Sequence, residues 1–595
     1  MLKFITLVCA LIGLFIAISL EAWLRNHTVR TESTTEVYGE MRSRYSEFWS
    51  IQYLPLIIIL ITAGAAIFFG IGKLDAAAFT GGAVLCFVSV IAGSRTVVTG
   101  SITTSSIALS GDVRGALRSA YRSAAIMGLT ASAVSLIGLG SLFFVFKTKQ
   151  LIALSASFGL GAAFTSFMIC LSGSVFSAAY SLYAGNNDFT DYTGMFIGSS
   201  SDHTGSFIMS VCSAVLLAEV AVDTSGVMST FTRTSAARYP LIVFGAGIAA
   251  SVIGVLTYRG RIVRNPAAGL TAGNIVAAVL VIAASVYFSY DLMQSYLYAF
   301  CVASGIAAAL ISGELMKLYA SDGYVFRRYI PSSKKVGVSR SMLFSLSAGL
   351  MSAFIPAVLS AASMIVSYKF ANLYGVALAA AGINSMFAVN FSIRGFAINA
   401  ASASEITSAA DPDAESPNPA DVLLTASAGS EVIGKTYSAI SLFVTCIAMF
   451  SALSASTGGS SVNLINTGVF SGLLAGIVSV FIFAGLIIRS VRMTGEVLKR
   501  SADEEKQIRN LRGIWVIYLL SFVVPLSAGF AGGVGGLISF ACASGITGAC
   551  LIFVFNGSGK YFDSISMETL GSVIRFMIAF AMVCAPVFTD FGGIL

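Results

Sequence analysis

Long apolar runs separated by short polar segments dominate this chain. About 16 of them are long enough to cross a bilayer, because about 20 helical residues at 1.5 Å per residue span its hydrocarbon core. They lie at 4–20, 53–72, 79–106, 122–146, 151–184, 203–222, 239–257, 268–288, 292–316, 341–367, 373–400, 434–455, 466–488, 513–530, 534–555 and 569–589. The runs at 513–530 and 534–555 flank a Gly-rich GFAGGVGG segment and could instead form one re-entrant element. The pattern predicts an all-α polytopic membrane protein.

One stretch, residues 372–406, combines two kinds of surface. Its first half repeats small residues at i, i+4, i+7 and i+10, namely Gly375, Ala379, Gly382 and Ser385. Such a face lets another helix approach closely. Its second half is polar and carries Arg394. An ionisable side chain at that depth needs a partner or a wet cavity, so the polar half is predicted to belong to a site.

The composition agrees with a membrane protein and excludes other classes. Of 595 residues, 56% are hydrophobic and 11% charged, and the mean hydropathy is +0.87. Soluble domains carry about 25% charged residues. The apolar runs are continuous, whereas strands of membrane barrels alternate. The nine cysteines are scattered without metal-ligand spacing, so they are interpreted as core residues, and no basic domain indicates a nucleic-acid partner.

The basic residues predict the orientation. With the N-terminus outside, the outer segments hold few of them: Lys3, Lys73, Lys147, Lys149, Arg233, Arg238 and Lys369. Most of the others fall on inner segments, which predicts that both termini are outside. We expect one domain over residues 1–595, with cytoplasmic loops at 21–52, 186–202, 317–340, 401–433 and 489–512. The first run is interpreted as a retained helix rather than a signal peptide, because no clear cleavage site follows.

Several segments, in order, resemble the membrane-integral pyrophosphatases, which are pyrophosphate-energised H⁺ or Na⁺ pumps. Residues 79–144 resemble the third and fourth helices of that family, and residues 158–180 the fifth. NLYGVALAAAG (372–382), VIGKTYSAIS (432–441) and LGSVIRFMIAFAMVCAPVF (570–588) resemble the eleventh, twelfth and last. The resemblance implies sixteen spans, an inner six-helix ring within an outer ring, a homodimer and a cell or inner membrane location with the site facing the cytoplasm.

The catalytic acids of that family are mostly missing here. The resemblance places its acidic and neighbouring site positions at Ser181, Gly185, Gly194, Gly198, Asp202, Arg394, Ala401, Asp421, Leu424 and Asn556. Only Asp202 and Asp421 are acids, with Asp188 and Asp191 as further weak metal candidates. A pyrophosphate site holds several Mg²⁺ ions through carboxylates, so we expect no cofactor here, and Mg²⁺ and K⁺ only if the family's activity survives.

The remaining charged residues allow two interpretations. The resemblance makes Arg394, Lys435 and Lys560 candidates for binding an anionic small molecule, and Arg575, Cys170 and Cys212 candidates for an ion path. Alternatively, each base pairs with an acid: Arg394 with Glu405, Asp421 or Glu431, and Lys435 with Glu431 at i, i+4. Asp202 could form a ligand pair or proton relay with His203, but it and Asp421 are preferred as helix N-caps.

Three functions follow as hypotheses. The first is a pseudoenzyme with the pump's fold and a structural, binding or altered transport role. The second is a working pyrophosphate-driven H⁺ or Na⁺ pump with a rebuilt site. The third is an unrelated secondary transporter, whose small-residue composition produces the resemblance.

Overall fold

A computed structural model describes residues 2–27, 32–183, 190–223, 233–258, 266–320, 338–412, 418–457, 465–500, 512–558 and 568–589. These ranges are almost entirely helical and contain no strand, which confirms the all-α prediction. The helices are α1 (Leu2–Asn26), α2 (Glu32–Gly70), α3 (Lys73–Ser94), α4 (Thr96–Leu109), α5 (Val113–Val145), α6 (Thr148–Tyr183), α7 (Thr190–Asp223), α8 (Arg233–Thr257), α9 (Pro266–Met293), α10 (Leu297–Ala320), α11 (Val338–Ser352), α12 (Phe354–Ser385), α13 (Phe387–Ala410), α14 (Pro419–Ser456), α15 (Thr467–Arg500), α16 (Arg512–Gly557) and α17 (Glu568–Thr589).

Thirteen helical runs in the described ranges are long and apolar enough to cross a membrane. The predicted number is larger for three reasons. Helix α7 is long enough but is not among the thirteen. The runs 339–385 and 514–557 are each counted once, although the sequence pattern divides each of them in two. The chain is therefore a polytopic membrane protein, and the sixteen spans and their orientation stay predictions.

The chain folds back within both of these long runs. Asn372 has a φ of 49° inside α12, and Gly533 has a φ of 57° inside α16. A Cβ on Gly375 would lie 2.1 Å from the carbonyl oxygen of Ser367, and one on Gly536 would lie 2.5 Å from that of Ala528. Eight residues of straight helix cover about 12 Å, so these contacts require a reversal. Glycine and asparagine tolerate the left-handed conformation better than other residues.

Burial separates central helices from peripheral ones. The most apolar window of α6 is 89% buried and that of α14 is 78% buried, whereas that of α2 is 11% buried. Helix α6 packs along α7, and α13, α14 and α17 complete the packing around them. These five central helices carry the site described below. The six-helix inner ring remains a prediction.

Helices extend through much of the chain that was predicted as loops. Residues 190–202 are helical and mostly buried, so their interpretation as a loop is wrong. Helix also covers 32–52, 401–410, 419–433 and 489–500. In a water-soluble protein, the small residues of 190–202 would indicate a loop. In a helical membrane protein, such residues allow the backbones of neighbouring helices to approach each other closely. Gly194 and Gly198 do this against Gly173 of α6.

Candidate functional site

Arg394 is the centre of a buried ion-pair group. Its side chain on α13 contacts carboxylates from two other helices. Nη2 lies 3.0 Å from Glu568 Oε1 of α17, and Nη1 lies 3.3 Å from Glu431 Oε1 of α14. Lys435 Nζ, one turn along α14, lies 2.9 Å from the same Glu431 oxygen. We call Arg394, Glu431, Lys435 and Glu568 the upper ion group.

Close packing of α13 on α14 brings these charges together. A Cβ on Gly434 would lie 2.8 Å from the Cα of Arg394, so only glycine fits between the two backbones without displacement. Glycine is favourable at this position of the helix because small residues allow two membrane helices to pack closely. Ser427, which is also on α14, donates to the carbonyl of Ala397 on α13 at 2.7 Å, and this hydrogen bond further joins the two helices. Asn556 of α16 donates to the Lys435 carbonyl at 3.1 Å.

A second ion pair lies deeper along the same helices. Asp202 of α7 is 2% exposed and accepts a hydrogen bond from the guanidinium of Arg575 on α17, itself 2% exposed. Ser572 donates to Asp202 Oδ1 at 2.5 Å, and Ser438 donates to Oδ2 at 3.3 Å. We call Asp202, Arg575, Ser572 and Ser438 the lower ion group. Both carboxylate oxygens of Asp202 are thereby occupied.

Helix α7 links the two groups. Ser199 donates its hydroxyl hydrogen to Glu568 of the upper ion group. Its carbonyl lies 2.8 Å from His203 Nδ1. A carbonyl only accepts, so Nδ1 carries a proton. His203 Nε2 is buried and has no hydrogen-bond partner among the described residues. Helix α7 thus supplies Asp202 to the lower ion group and contacts Glu568 of the upper ion group through Ser199, one turn earlier.

These contacts agree with the ion-pair interpretation for Arg394 and Lys435. The predicted pairs of Arg394 with Glu431 and of Glu431 with Lys435 are confirmed. Glu405 instead accepts a hydrogen bond from Tyr192 at 2.6 Å. Asp421 is engaged at the start of α14, where it exchanges hydrogen bonds with Asn418.

Both N-cap predictions need correction. Asp202 lies in the interior of α7, twelve residues after its first residue Thr190, so it caps nothing. Asn418 is the N-cap of α14, and Asp421 completes a capping box three residues later. The capping box provides acceptors for two backbone N–H groups at the start of the helix that have no partner within the helix. An acid at the third position is therefore typical of a helix N-terminus, although it is not the N-cap itself.

The other predicted positions are distributed over several environments. Gly194 and Gly198 form the contact of α7 with α6, and Ser181 is exposed near the end of α6. Ala401 is half-buried on α13, and Leu424 is 54% exposed on α14. Cys170 lies 3.9 Å from the hydroxyl of Ser174, and Cys212 packs near Gly159, both fully buried. Asp188, Gly185 and Lys560, and the side chain of Asp191, lie outside the described residues.

Glu568 is the member of the upper ion group that the sequence pattern did not predict. It directly precedes the last apolar run, at 569–589, and lies outside the segments that carry the resemblance. The available signal was its spacing of seven residues from Arg575, which places both on one face two turns apart. That face is the one that α17 turns toward α7 and α13.

The described residues do not fit a magnesium cage. They contain no group of three or more His, Cys, Asp or Glu side chains close enough to hold a metal ion. The buried acids Asp202 and Glu568 and the partly exposed Glu431 each contact a guanidinium or ammonium group. A carboxylate already paired with a base is a poor ligand for a hard cation, because binding would leave the base buried without a counter-charge.

The described helices define a polytopic helical membrane protein with ion pairs at its centre. A family model for Inorganic H⁺ pyrophosphatase matches residues 11–184 and 187–565. The chain belongs to this family. The third hypothesis, an unrelated transporter, is therefore wrong, because the match covers nearly the whole chain and its small-residue composition alone cannot account for it.

Curated relatives agree with the family. The chain is 23% identical over 675 residues to a Clostridium tetani protein named as a K⁺-stimulated pyrophosphate-energized sodium pump, covering 99% of this chain and 98% of that one. It is 23% identical over 512 residues to the K⁺-insensitive pyrophosphate-energized proton pump of Methanosarcina mazei, covering 80% and 74%. It is 22% identical over 663 residues to the proton pump of the same description from Chloroflexus aurantiacus, covering 93% and 84%.

Proposed function

We propose that this protein keeps the scaffold of a pyrophosphate-energised pump but does not hydrolyse pyrophosphate. It would act in the membrane as a pseudoenzyme, with a structural, binding or altered transport role. The observation that carries the proposal is the pairing of its buried carboxylates with Arg394, Lys435 and Arg575. A site that binds magnesium pyrophosphate needs carboxylates available to the metal.

Charge supports the same conclusion. The upper ion group contains two bases and two acids, and the lower group contains one of each. Each group is therefore neutral when all its members are ionised. Binding pyrophosphate to Arg394 would require breaking its contacts with Glu431 and Glu568 and leaving both acids buried near an anion. That rearrangement costs several kcal/mol, since breaking one buried pair costs about 3–5 kcal/mol.

Packing supports it as well. At two of the family's acidic positions, this chain has Gly194 and Gly198. A Cβ at Gly194 would lie 2.8 Å from the Gly173 carbonyl, and one at Gly198 would lie 2.8 Å from the Ser174 hydroxyl. The space that aspartate side chains would need is filled by the contact between α6 and α7. The distribution of basic residues supports a cytoplasmic position for this face.

The test is pyrophosphate hydrolysis by the purified full chain in lipid vesicles. Mg²⁺ would be present throughout, with K⁺ and Na⁺ varied, and the Methanosarcina mazei relative would serve as the active control. We expect no phosphate release above protein-free vesicles under any cation condition. Release that depends on both protein and Mg²⁺ would overturn the proposal.

A second measurement separates the rebuilt pump from an inert scaffold. Inside-out vesicles containing a pH-sensitive dye would be given pyrophosphate with Mg²⁺. Pyrophosphate-dependent acidification, or sodium uptake measured in parallel, would establish the second hypothesis. We expect neither, because the described residues offer no acid cluster for the metal.

A further inference from the structure

A large cavity lies away from the ion groups, between α1, α2 and the junction of α3 with α4. Its volume is about 1030 Å³, and it is half open to the surroundings. Arginines and aromatic side chains dominate its wall, notably Arg25, Arg42, Arg95, Tyr45, Trp49 and Tyr53. A site for a small inorganic ion would be much smaller, since cavities of about 300–1,000 Å³ hold drug-sized molecules.

The wall of this cavity carries an excess of positive charge. Among the residues that the structure describes, three arginines line it, against one acid, Glu21. Glu21 already pairs with Arg25 at 2.5 Å, one turn apart on α1. Arg42 and Arg95 supply the excess, from α2 and from the α3–α4 junction. A ligand with at least one negative charge fits such a wall.

Arg95 lies within an apolar run, at 79–106, that is predicted to cross the membrane. Helix α3 ends at Ser94 and α4 begins at Thr96, so Arg95 occupies the junction. The hydroxyl of Tyr45 on α2 donates to the Ile91 carbonyl at 3.2 Å and lies 2.9 Å from the Ser94 hydroxyl. These contacts hold α2 against the junction. A charged side chain at this depth is costly unless it faces a polar cavity, which is where Arg95 lies.

The neighbouring face of α2 is apolar and exposed. Leu54, Ile58 and Ile61 follow one another at i, i+4 and i+7 and are each more than half exposed. This strip begins one residue after Tyr53, which lines the cavity. A molecule with an anionic head and an apolar tail would match both surfaces at once. A soluble anion would use only the arginines.

We propose that this cavity binds an anionic phospholipid. Its phosphate would contact Arg42 and Arg95, and an acyl chain would lie along Leu54, Ile58 and Ile61. The inference does not depend on whether the protein hydrolyses pyrophosphate, because the cavity contains none of the residues of the ion groups.

The test is lipid retention by the detergent-purified full chain, measured by native mass spectrometry and by thermal shift. Phosphatidylglycerol, phosphatidylcholine and inorganic phosphate would be titrated separately. The wild-type chain should bind phosphatidylglycerol at least tenfold more tightly than phosphatidylcholine. The double substitution R42Q/R95Q should weaken phosphatidylglycerol binding about 25-fold, because each basic residue near an anionic lipid contributes about fivefold, or 1 kcal/mol.

Two control variants make the result specific. R95K keeps the charge and should weaken binding less than about threefold. R492Q removes an exposed arginine on α15 that pairs with Glu496 at 3.0 Å, far along the chain from the cavity, and should have no effect. Equal binding of phosphatidylcholine, equal protection by inorganic phosphate, or unchanged binding by R42Q/R95Q in a chain that melts normally would each overturn the proposal.

Discussion

Arg575 and Arg95 both lie in apolar helices, but their surroundings differ. Arg575 is 2% exposed and contacts Asp202, whose other oxygen accepts from Ser438. Arg95 is exposed and lines a cavity in which arginines outnumber acids. The first charge is neutralised inside the protein and therefore holds helices together. The second leaves net charge facing an open space and is therefore available to a ligand.

The contrast applies to the whole of both regions. The upper and lower ion groups join α7, α13, α14 and α17 through side chains from each helix. The cavity is bounded by α1 and α2, which pack on different neighbours: α1 on α5 and α8, and α2 on α3. In the part of the chain that the structure describes, acids at the centre of the fold contact bases, and an open basic space lies beside the largely exposed helix α2.

We expect the largest loss of stability when one member of the lower ion group is removed. Asp202→Leu leaves the Arg575 guanidinium buried without its counter-charge, which costs about 3–5 kcal/mol of stability. Thermal unfolding in detergent, read by intrinsic fluorescence, measures the loss. The double variant Asp202→Leu/Arg575→Met removes both charges and should recover most of it. If Asp202→Leu alone melts like the wild type, the stability of the protein does not depend on the ion pair of Asp202 and Arg575.

Restoring an acid where the family has one should also destabilise the protein. Gly198→Asp introduces a side chain whose Cβ lies 2.8 Å from Ser174 and should cost at least about 1–3 kcal/mol through overpacking. Gly140→Ala on α5 is the matched control, because a Cβ there meets nothing within 4 Å. Melting temperature and pyrophosphate hydrolysis are measured together. A Gly198→Asp variant that is as stable as the wild type and gains hydrolysis would contradict the argument from this packing.

A smaller effect is expected in the upper ion group. Glu431→Gln removes a carboxylate shared by Arg394 and Lys435, but Arg394 keeps Glu568, and the Glu431 side chain is 28% exposed. Partial exposure screens the charges, so we expect a loss of about 1 kcal/mol. Chemical or thermal unfolding of Glu431→Gln and Asp202→Leu under the same conditions shows which variant loses more stability. A larger loss than that of Asp202→Leu would contradict it.

The smallest effect on stability should come from the cavity. Arg95→Gln in detergent without anionic lipid should change stability by less than about 0.5 kcal/mol, because the side chain is exposed. The variant should differ from the wild type only after phosphatidylglycerol is added. A large loss without lipid would place Arg95 among the structural charges, together with Arg575.

Much of the fold could be predicted because membrane helices leave a strong local signal. Apolar runs gave every described helix that carries the core, and the small residues at 375, 379, 382 and 385 correctly indicated a buried face. The fold-back points at Asn372 and Gly533 fell between predicted runs. The helical nature of 190–202 could not be predicted from composition, because glycine and serine indicate a loop in water and a close contact in a membrane.

The candidate site was only partly predictable. The pair of Glu431 and Lys435 follows from their spacing on one helix, and it is confirmed. The contacts of Arg394 with Glu568 and of Arg575 with Asp202 join residues 174 and 373 positions apart. No pattern within a short stretch of sequence predicts a contact between residues so far apart in the chain. The choice between an anion site and a set of ion pairs therefore depended on the packing of the helices.

The sequence by itself determined that this chain crosses a membrane many times as helices, since hydropathy and length act within each segment. Through the resemblance it also predicts which acids of the family's pattern are absent. Only the tertiary structure decided that Asp202, Glu431 and Glu568 each contact a base, and that an open arginine-lined space lies between α1, α2 and the junction of α3 with α4. The physical reason is that a buried charge is stable only with its counter-charge beside it, and which charges become neighbours is set by packing between distant helices.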